Sequence, residues 1–450
     1  MTDRAPSITS HLLKFHPQRD DLFNELHTRP FPVVPTPGRV SQIALLHEGC
    51  LRKDEHQHIA SLCKRYSINP PSSSATCYYQ DFGGFEFRWE RHTEFSTYTF
   101  IHKVESPEPF QRTALSLLPD EWLASLPGAV ISGLHIEIES HEDSALSLEQ
   151  LRHSFEGHRI LSSYVRDRKA QLWTAYRIHS DGMGRIFINN MSLNPCQTGR
   201  LVRRMLELET YRMMALMALP LAKQLAPQVT EMDQQLALII QQITDIESLE
   251  DERRLLGELT TLAARIEQLI SDTNYRFSAT TAYYELAMTR LNEMREKEVA
   301  GLQTLNEFLS RRLTPAWRTC ETVREDLDEL SRRIDRASEL LRTRVNLTIE
   351  AQNQSLLQSM DRRSKLQLRL QQAVEGLSVA VISYHLVGLV KYLAESARSL
   401  GWIENTGLII GASVPIAVAT VWFSLSRFKK RLDRVNREMK ERYIGTKPSA

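Results

Sequence analysis

Histidines and glutamates alternate in one short segment, and this pattern is a candidate for a chemically active site. The segment reads His-Ile-Glu-Ile-Glu-Ser-His, so His135, Glu137, Glu139 and His141 occupy odd-numbered positions. In an extended strand such positions point to the same side, and imidazole and carboxylate groups are common metal ligands. The segment could therefore form a metal site from His135, Glu137 and His141. The pattern is more typical, however, of a strand whose polar face is solvated and runs into a loop.

A second alternation follows a run of aromatic residues. The segment Phe85–Glu90 alternates aromatic and charged residues, which is typical of a strand with one buried face. Directly after it, Glu90, His92 and Glu94 again occupy every second position. Together they could form an acid–base or metal cluster, or simply the polar face of a hairpin.

Adjacent arginines in helical runs form a third pattern. The pairs Arg203-Arg204 and Arg311-Arg312 could bind a phosphate or an acidic lipid, or they could complete salt bridges between helices. The sequence contains no Walker-type Lys-Ser/Thr loop, no G-x-S-x-G and no H-E-x-x-H. We therefore expect a protein that is not an enzyme and that carries no cofactor.

Two polar residues lie inside an apolar stretch near the carboxyl end. Tyr384 and His385 fall within Ala373–Val390, which is 18 residues long. An ionisable side chain within a membrane span is costly and usually faces protein or water. These residues therefore indicate a pore or an intramembrane polar site, unless they lie near the interface of a loosely packed hairpin.

Two apolar segments predict a transmembrane hairpin, and basic residues predict its orientation. Residues 373–390 and 407–425 are each long enough to cross a bilayer as a helix. Positive charge near both outer ends favours an inner-membrane protein whose two termini are cytoplasmic. A single span at 407–425 is the alternative. The flanking basic residues are Arg362, Arg363, Lys365, Arg427, Lys429, Lys430 and Arg431.

Composition limits the remaining classes of function. The 450-residue chain has a net charge of +1, which gives no support to a nucleic-acid partner. A mean hydropathy of −0.33 excludes a polytopic membrane protein. Five scattered cysteines are typical of reduced cytosolic thiols, and the amino terminus lacks the apolar core of a signal peptide.

Residues 1–195 predict an α+β cytosolic head with a partly antiparallel sheet. Turn-forming residues separate eight runs with β character. These runs are Val40–His47, Thr76–Phe82, Phe85–Glu90, Phe95–Ile101, Ala129–Ile138, Ile160–Arg166, Leu172–His179 and Arg185–Asn189. Helices are predicted at Arg19–His27, Lys53–Tyr66 and Leu146–His153.

Residues 196–372 predict a long antiparallel helical or coiled-coil stalk. Apolar residues between Val323 and Leu341 recur every three or four positions, close to the coiled-coil repeat. No proline or glycine lies between Ala316 and Glu375, so the last stalk helix is expected to continue into the membrane. Residues 426–450 are predicted to form a basic cytosolic tail.

The long helices of the stalk and the two spans favour a homo-oligomer. The lipid bilayer and an unknown protein are expected as further partners.

Several longer segments resemble one bacterial family. They are Glu25–Phe31, Trp89–Phe100, Glu209–Leu216, Arg311–Leu313, Leu340–Val345 and Val374–Val379. They resemble the family known as uncharacterized membrane-anchored proteins, domain of unknown function 3422. One departure is Thr28, where the family usually has alanine. The resemblance implies a membrane anchor and brings no established activity or catalytic residue.

The order of the parts is also similar to that of CorA-type cation channels. These have a cytosolic α/β head, a long helix that enters the membrane, two close spans and a basic end. Their Gly-Met-Asn signature belongs at the end of the first span, where this chain has Tyr384–Tyr392 without that motif. We therefore expect a membrane-anchored binding or scaffold module. The alternative is a CorA-like homo-oligomeric channel that lacks the signature.

Overall fold

A computed structural model describes residues 14–25, 32–47, 52–103, 108–140, 147–246, 248–399 and 405–444, with side chains described in the last range up to Arg427. The chain divides into two compact units, Met1–Glu339 and Leu340–Ala450. The predicted boundaries at residues 195 and 372 stay predictions.

In the described part of the first unit, nine strands form one mixed sheet in the order β2-β3-β4-β1-β5-β8-β7-β6-β9. The strands are β1 Gly38–Leu46, β2 Cys77–Asp81, β3 Glu86–Arg91, β4 Phe95–His102, β5 Ala129–Ser140, β6 Leu161–Val165, β7 Ala170–Thr174, β8 Gly184–Asn190 and β9 Lys297–Glu298. The first eight confirm the eight predicted runs to within a few residues.

The sheet is antiparallel except at its centre. The strand β1 pairs antiparallel with both β4 and β5, whereas β5 and β8 run parallel. A parallel neighbour requires a crossover, and residues 141–183 between these two strands provide it. The ninth strand comes from the region predicted to be entirely helical, where Lys297 and Glu298 extend the edge at β6.

Short helices cover one face of the sheet. They are α2 Arg52–Arg65, α3 Asp120–Ala124, α4 Leu148–Ser154 and a 3-10 helix at Ala114–Leu117. Beneath α2 and α3 lies an aromatic core that includes Phe87, Trp89, Tyr98, Phe100 and Trp122. The predicted alternation in β3 is thus confirmed, because its aromatic residues share this face.

Long helices cover the opposite face. Those that pack on it are α5 Pro195–Leu216, α7 Leu249–Glu293 and the first turns of α8 Leu305–Ser399. The helix α6 Leu219–Thr244 packs against α7, and α1 Arg19–Glu25 precedes the sheet. Residues such as Leu201 and Met205 of α5 and Leu305 of α8 join Ile136 and Ile188 in one core. The remaining predicted residues of the first helix, Leu26 and His27, lie outside the described residues.

Capping and proline positions explain where these helices begin. Asn194 caps α5 through a reciprocal capping box with Gln197. Pro220 lies in the first turn of α6, where its missing N–H is tolerated. The helix α8 begins eleven residues before the predicted start at Ala316, and Pro315 lies inside it. Buried Leu309 and Leu313 tie this first part to the core.

The second unit contains the rest of α8 and the helix α9, Thr406–Ile444. Both helices are long and apolar enough to cross a membrane. Only 6% and 11% of the residues in their most apolar 18-residue windows are buried. The continuous course of α8 from Ala316 into its apolar segment confirms the predicted uninterrupted helix.

Candidate functional site

A cavity of about 160 Å³ lies between the sheet and the long helices of the first unit. Its floor is formed by polar residues of three neighbouring strands. Arg88 faces Thr99 across the β3–β4 pair, and Glu90 faces Thr97. Gln42 of β1 is opposite Thr99 on the other side of β4. All five side chains line the cavity, and we call this space the charged cavity.

The roof of the charged cavity comes from α5 and α7. Arg203, Glu207 and Thr210 are spaced by four and three residues, so they lie on one face of α5. Arg290 of α7 and Tyr211 complete this side. The floor residues are buried, whereas Arg203 and Arg290 are half-buried. The polar groups therefore lie beneath packed helices with partial access from outside.

Ion pairs hold these side chains in place. Arg88 Nη2 donates to Glu90 Oε1 at 2.8 Å. Glu207 accepts from two arginines, Arg203 Nε at 2.7 Å and Arg290 Nε at 2.5 Å. The last bond joins α5 to α7. Arg290 also pairs with Glu293 at 3.2 Å, and Glu293 pairs in turn with Arg204 at 2.8 Å. The lining groups and these ion-pair partners comprise four arginines and three glutamates, which leaves one excess positive charge.

Neutral hydrogen bonds connect the floor to the roof. Gln42 Nε2 donates to Thr99 Oγ1 at 2.8 Å, and Thr210 Oγ1 lies 3.3 Å from Gln42 Oε1. This chain links β4, β1 and α5 directly. The geometry of the charged cavity is therefore fixed from three sides.

The pKa of Glu90 explains which chemistry the charged cavity supports. Burial raises this pKa. The hydrogen bond and charge of Arg88, together with the charge of Arg203, lower it by more than burial raises it, so the net pKa lies below the ordinary value. Such a carboxylate stays ionised at neutral pH and is a weak base. Burial raises the pKa of Tyr211 to about 12, so its phenol stays neutral. The arrangement is therefore suited to electrostatic binding rather than to proton transfer.

The predicted trio of Glu90, His92 and Glu94 separates into two environments. Glu90 and His92 both line the charged cavity. Glu94 instead accepts from Arg276 Nη1 of α7 at 2.7 Å. The polar face of β3 is not solvated, because α5 covers it and Glu90 is only 9% exposed.

The alternating residues of β5 form a second polar group on the opposite face of the sheet. His135 and Glu137 point to the same side, as predicted, but they are only 4% and 3% exposed. The interpretation as a solvated strand face is therefore wrong. In register, His135 is opposite Ser41, and Glu137 is opposite Arg39. We call these four residues the β5 row.

Each residue of the β5 row has a protein partner. Ser41 Oγ and His135 Nδ1 share a hydrogen bond of 2.7 Å. Glu137 Oε1 lies 3.4 Å from Arg39 Nε, and its other oxygen accepts from the backbone N–H of Phe110. His141 lies outside the described residues. Within the described ones, no group of three or more His, Cys, Asp or Glu side chains converges to hold a metal ion, and the three-ligand site stays a prediction.

Burial shifts both titratable groups of the β5 row toward their neutral forms. It lowers the pKa of His135 to about 4, with Arg185 and His179 adding to the effect and Asp181 opposing it. It raises the pKa of Glu137 to about 7, although the Phe110 N–H and Arg39 favour the ionised form. At neutral pH His135 is thus neutral, while Glu137 is half ionised.

A catalytic triad here would use Ser41 as nucleophile, His135 as base and Asp181 as acid. The geometry of these residues does not fit that chemistry. His135 Nε2 is 3.9 Å from Asp181 Oδ2, beyond hydrogen-bond distance. Ser41 is 1% exposed, so a substrate cannot reach its hydroxyl. Ser41 and His135 therefore act here as packed core polar groups, whereas Asp181 is exposed.

The predicted intramembrane and flanking residues lie along the second unit. Tyr384 is 79% exposed, and its ring centroid lies 6.0 Å from that of His385. Arg362 and Arg363 are exposed on α8, and Lys365 pairs with Asp361 at 2.7 Å. Lys429, Lys430 and Arg431 belong to α9, with their side chains outside the described ones.

Arg427 precedes them on the same helix. Its guanidinium carbon lies 4.7 Å from the ring centroid of Phe423. The cationic group thus stacks on the last aromatic residue of the apolar segment, at the point where the helix becomes basic.

Sequence reasoning missed the residues that complete both polar groups. Arg39 and Ser41 were not considered, although they are two polar residues at alternate positions in a strand that is mostly apolar. Glu207 was also missed, although its spacing of four from Arg203 is the usual signal for a helical ion pair. The predicted salt bridge between helices is confirmed for Arg204, which donates to Glu293 of α7 at 2.8 Å.

No curated protein matches the chain. A family model does match, over residues 14–432, and it therefore covers both polar groups and the two apolar segments. Its description names no activity. The chain belongs to the family described as "Protein of unknown function (DUF3422)".

Proposed function

We propose that the chain is a non-enzymatic binding protein anchored in the bacterial inner membrane, with both termini in the cytoplasm. The observation that carries this proposal is the exposure of its apolar helical surface. Leu389, Leu408 and Ile416 are each more than 60% exposed. Contiguous apolar surface of this extent is costly in water, and a bilayer would cover it.

Charge and residue size support a hairpin rather than a single span. Exposed Arg362 and Arg363 precede the first apolar segment, and Arg427 follows the second. Positive charge at both outer ends favours cytoplasmic placement of both. Small Ser383, Ala394 and Ala417 are buried in the second unit, and such residues permit close helix packing within a membrane.

A repeat along α8 supports self-association. Ile349, Leu356, Leu370, Leu377 and Tyr384 are separated by multiples of seven residues, and all are exposed. A second series of exposed residues, Met360, Val374 and Val381, has the same period. Two such series form the seam of a coiled coil. The proposed partner along this seam is another copy of the chain, and Arg363 would fix the register.

A matched set of arginine substitutions in the full-length protein tests the anchor. Ile382→Arg combined with Ile416→Arg places a charge at the centre of each span, which costs about 2.5–3.5 kcal/mol per residue in a bilayer. Leu357→Arg is the control, because Leu357 is 64% exposed on α8 and lies before the span. We expect the double variant to leave the carbonate-resistant membrane fraction and the control to remain in it. Retention of both variants, or recovery of the wild-type chain in the soluble fraction, would refute the anchor.

A CorA-like channel is the second candidate, and the placement of Tyr384 favours it. Because Tyr384 shares the heptad position of Leu377, it would face the other copies in an oligomer. The match to the family carries no link to CorA-type channels, and the Gly-Met-Asn signature is absent. A monomer or dimer in detergent would exclude a pore formed around the first span. For a closed ring, unchanged ion flux in liposomes after His385→Leu would remove His385 from the path.

A further inference from the structure

The charged cavity combines enclosure, free volume and excess positive charge. From these features we infer that it binds a small oxyanion, either a carboxylate or a phosphate. This inference concerns the first unit and goes beyond the proposed anchoring and self-association. It holds or fails independently of whether the second unit spans a membrane.

The volume of the charged cavity sets the size of the ligand. A space of about 160 Å³ corresponds to about five water molecules at the volume of the liquid. A phosphate ion or a short dicarboxylate fits such a space, whereas a nucleotide does not. The lining is rich in charged and hydroxyl groups, so an apolar ligand would leave them without water or partners.

Charge determines the sign of the ligand. Arg88, Arg203 and Arg290 line the space, opposed by Glu90 and Glu207. Both glutamates already accept from these arginines. A bound cation would increase the positive excess, whereas a single oxyanion would neutralise it. Because the floor is buried, the attraction is stronger than between the same charges in water.

The donors suit an oxyanion geometrically. Guanidinium groups have several N–H donors in a planar fork, so an arginine that pairs with a glutamate retains donors for a second acceptor. The Thr97 hydroxyl lies on the floor between the strands and also faces the space. Arginines from the floor and from the roof would thus approach the anion from opposite sides.

A route into the charged cavity is visible at its outer side. A more open depression of about 350 Å³ shares His92, Phe95 and Tyr211 with it. His92 and Tyr211 are half-buried. A small ion can therefore reach the arginines from this depression after a modest movement of these side chains.

Adjacent arginines on α5 provide a matched test of the proposed site. Arg203 lines the charged cavity and pairs with Glu207, whereas Arg204 pairs with Glu293 and does not line it. Arg203→Gln and Arg204→Gln each remove one half-buried charge and one ion pair. Only the first removes a donor from the proposed site, whereas the second acts on it indirectly, through Glu293, which also pairs with Arg290. A third variant, Thr97→Val, removes a lining hydroxyl at nearly constant volume.

The experiment measures binding by full-length protein in detergent, by isothermal titration calorimetry in a buffer of chloride salts at constant ionic strength. The probes are inorganic phosphate and succinate, used separately to distinguish the two oxyanion classes. We expect at least one to bind to the wild-type protein and, with only slightly lower affinity, to Arg204→Gln, in which Glu293 can pair more strongly with Arg290. Binding to Arg203→Gln should weaken by about tenfold or more, since a hydrogen bond to a charged group contributes about 1.5–3 kcal/mol.

Two results would overturn the proposal. One is that neither probe binds to the wild-type protein. The other is that Arg203→Gln and Arg204→Gln weaken binding equally, which would place the anion on the outer basic surface. If Arg203→Gln does not fold, Thr97→Val decides the question: weaker binding supports the site, and unchanged binding contradicts it.

Discussion

Replacing Glu137 by glutamine should make the first unit more stable above neutral pH. Glu137 is buried in the β5 row, and burial raises its pKa to about 7, against 4.5 for an unperturbed glutamate. Its neutral form is therefore favoured by folding. The stability that it contributes is fully present below pH 4.5 and is lost as the pH rises through about 7. Glutamine resembles the neutral form and does not ionise.

The difference between the two pKa values gives the magnitude. A change from 4.5 to about 7 corresponds to about 3 kcal/mol at 1.36 kcal/mol per pKa unit. We therefore expect the free energy of unfolding of Glu137→Gln to exceed that of the wild-type protein by less than about 1 kcal/mol at pH 5 and by about 3 kcal/mol at pH 8. His135 titrates in both proteins, so its contribution cancels in the comparison.

Glu90→Gln is the matched control, because the same substitution should have the opposite sign there. Burial raises the pKa of Glu90, but Arg88 and Arg203 lower it below its ordinary value. Its stabilising contribution is therefore present at neutral pH and is lost as the pH falls through the lowered pKa. Glutamine at this position should destabilise the protein by nearly the same amount at pH 8 and pH 5, and the loss should shrink only as the pH falls below the ordinary pKa of 4.5.

Urea unfolding followed by tryptophan fluorescence, in one detergent at pH 5 and pH 8, measures both variants. Trp89, Trp122 and Trp173 report on the first unit, where they are buried. The reasoning fails if Glu137→Gln is less stable than wild type at pH 8, because that result would mean that Arg39 stabilises the carboxylate by more than burial destabilises it. It also fails if the difference does not change with pH.

Two further predictions concern packing and the charged cavity. Gly199→Ala should destabilise the protein by about 1–3 kcal/mol, because the new methyl group would overlap the backbone carbonyl of Pro32. Gly257 lies in open space on α7, so Gly257→Ala should stabilise the protein by up to about 1 kcal/mol. The same urea assay measures both variants. Replacing Arg88 and Glu90 together by methionine should leave the free energy of unfolding unchanged or raised, since a buried ion pair seldom exceeds an apolar pair in stability. The same double variant should lose oxyanion binding in calorimetry, and retained binding would exclude the floor as part of the site.

Local signals in the sequence were sufficient to find the strands. Turn residues such as Pro127-Gly128 and Asp181–Gly184 bound runs of β-branched and aromatic residues, and each of the eight predicted runs became a strand. Strand order was not accessible in the same way. The parallel pair β5–β8 joins residues about fifty positions apart, and such a pairing is selected by the packing of the whole sheet rather than by local preference.

Burial of the polar faces could not be predicted for the same reason. Periodicity correctly placed His135 with Glu137, and Arg88 with Glu90, on single faces of their strands. It contains no information about which helix covers a face. The start of α8 is similar, because the predicted run without proline or glycine begins only at Ala316. Leu305 and Leu309 are held in the core, and this packing outweighs the hydrogen bond that Pro315 removes.

The two polar groups differ in what they can do, although they lie on opposite faces of the same sheet. Burying charge is costly, and apolar residues of equal volume would usually stabilise a sheet as well. In the β5 row the polar atoms contact one another directly, as Ser41 and His135 do at 2.7 Å. Such a row makes stability depend on pH and leaves little space for a ligand. In the charged cavity, a space of about 160 Å³ lies between Arg88 of the floor and the two arginines of the roof. An anion can occupy this space, so binding belongs to this group rather than to the β5 row.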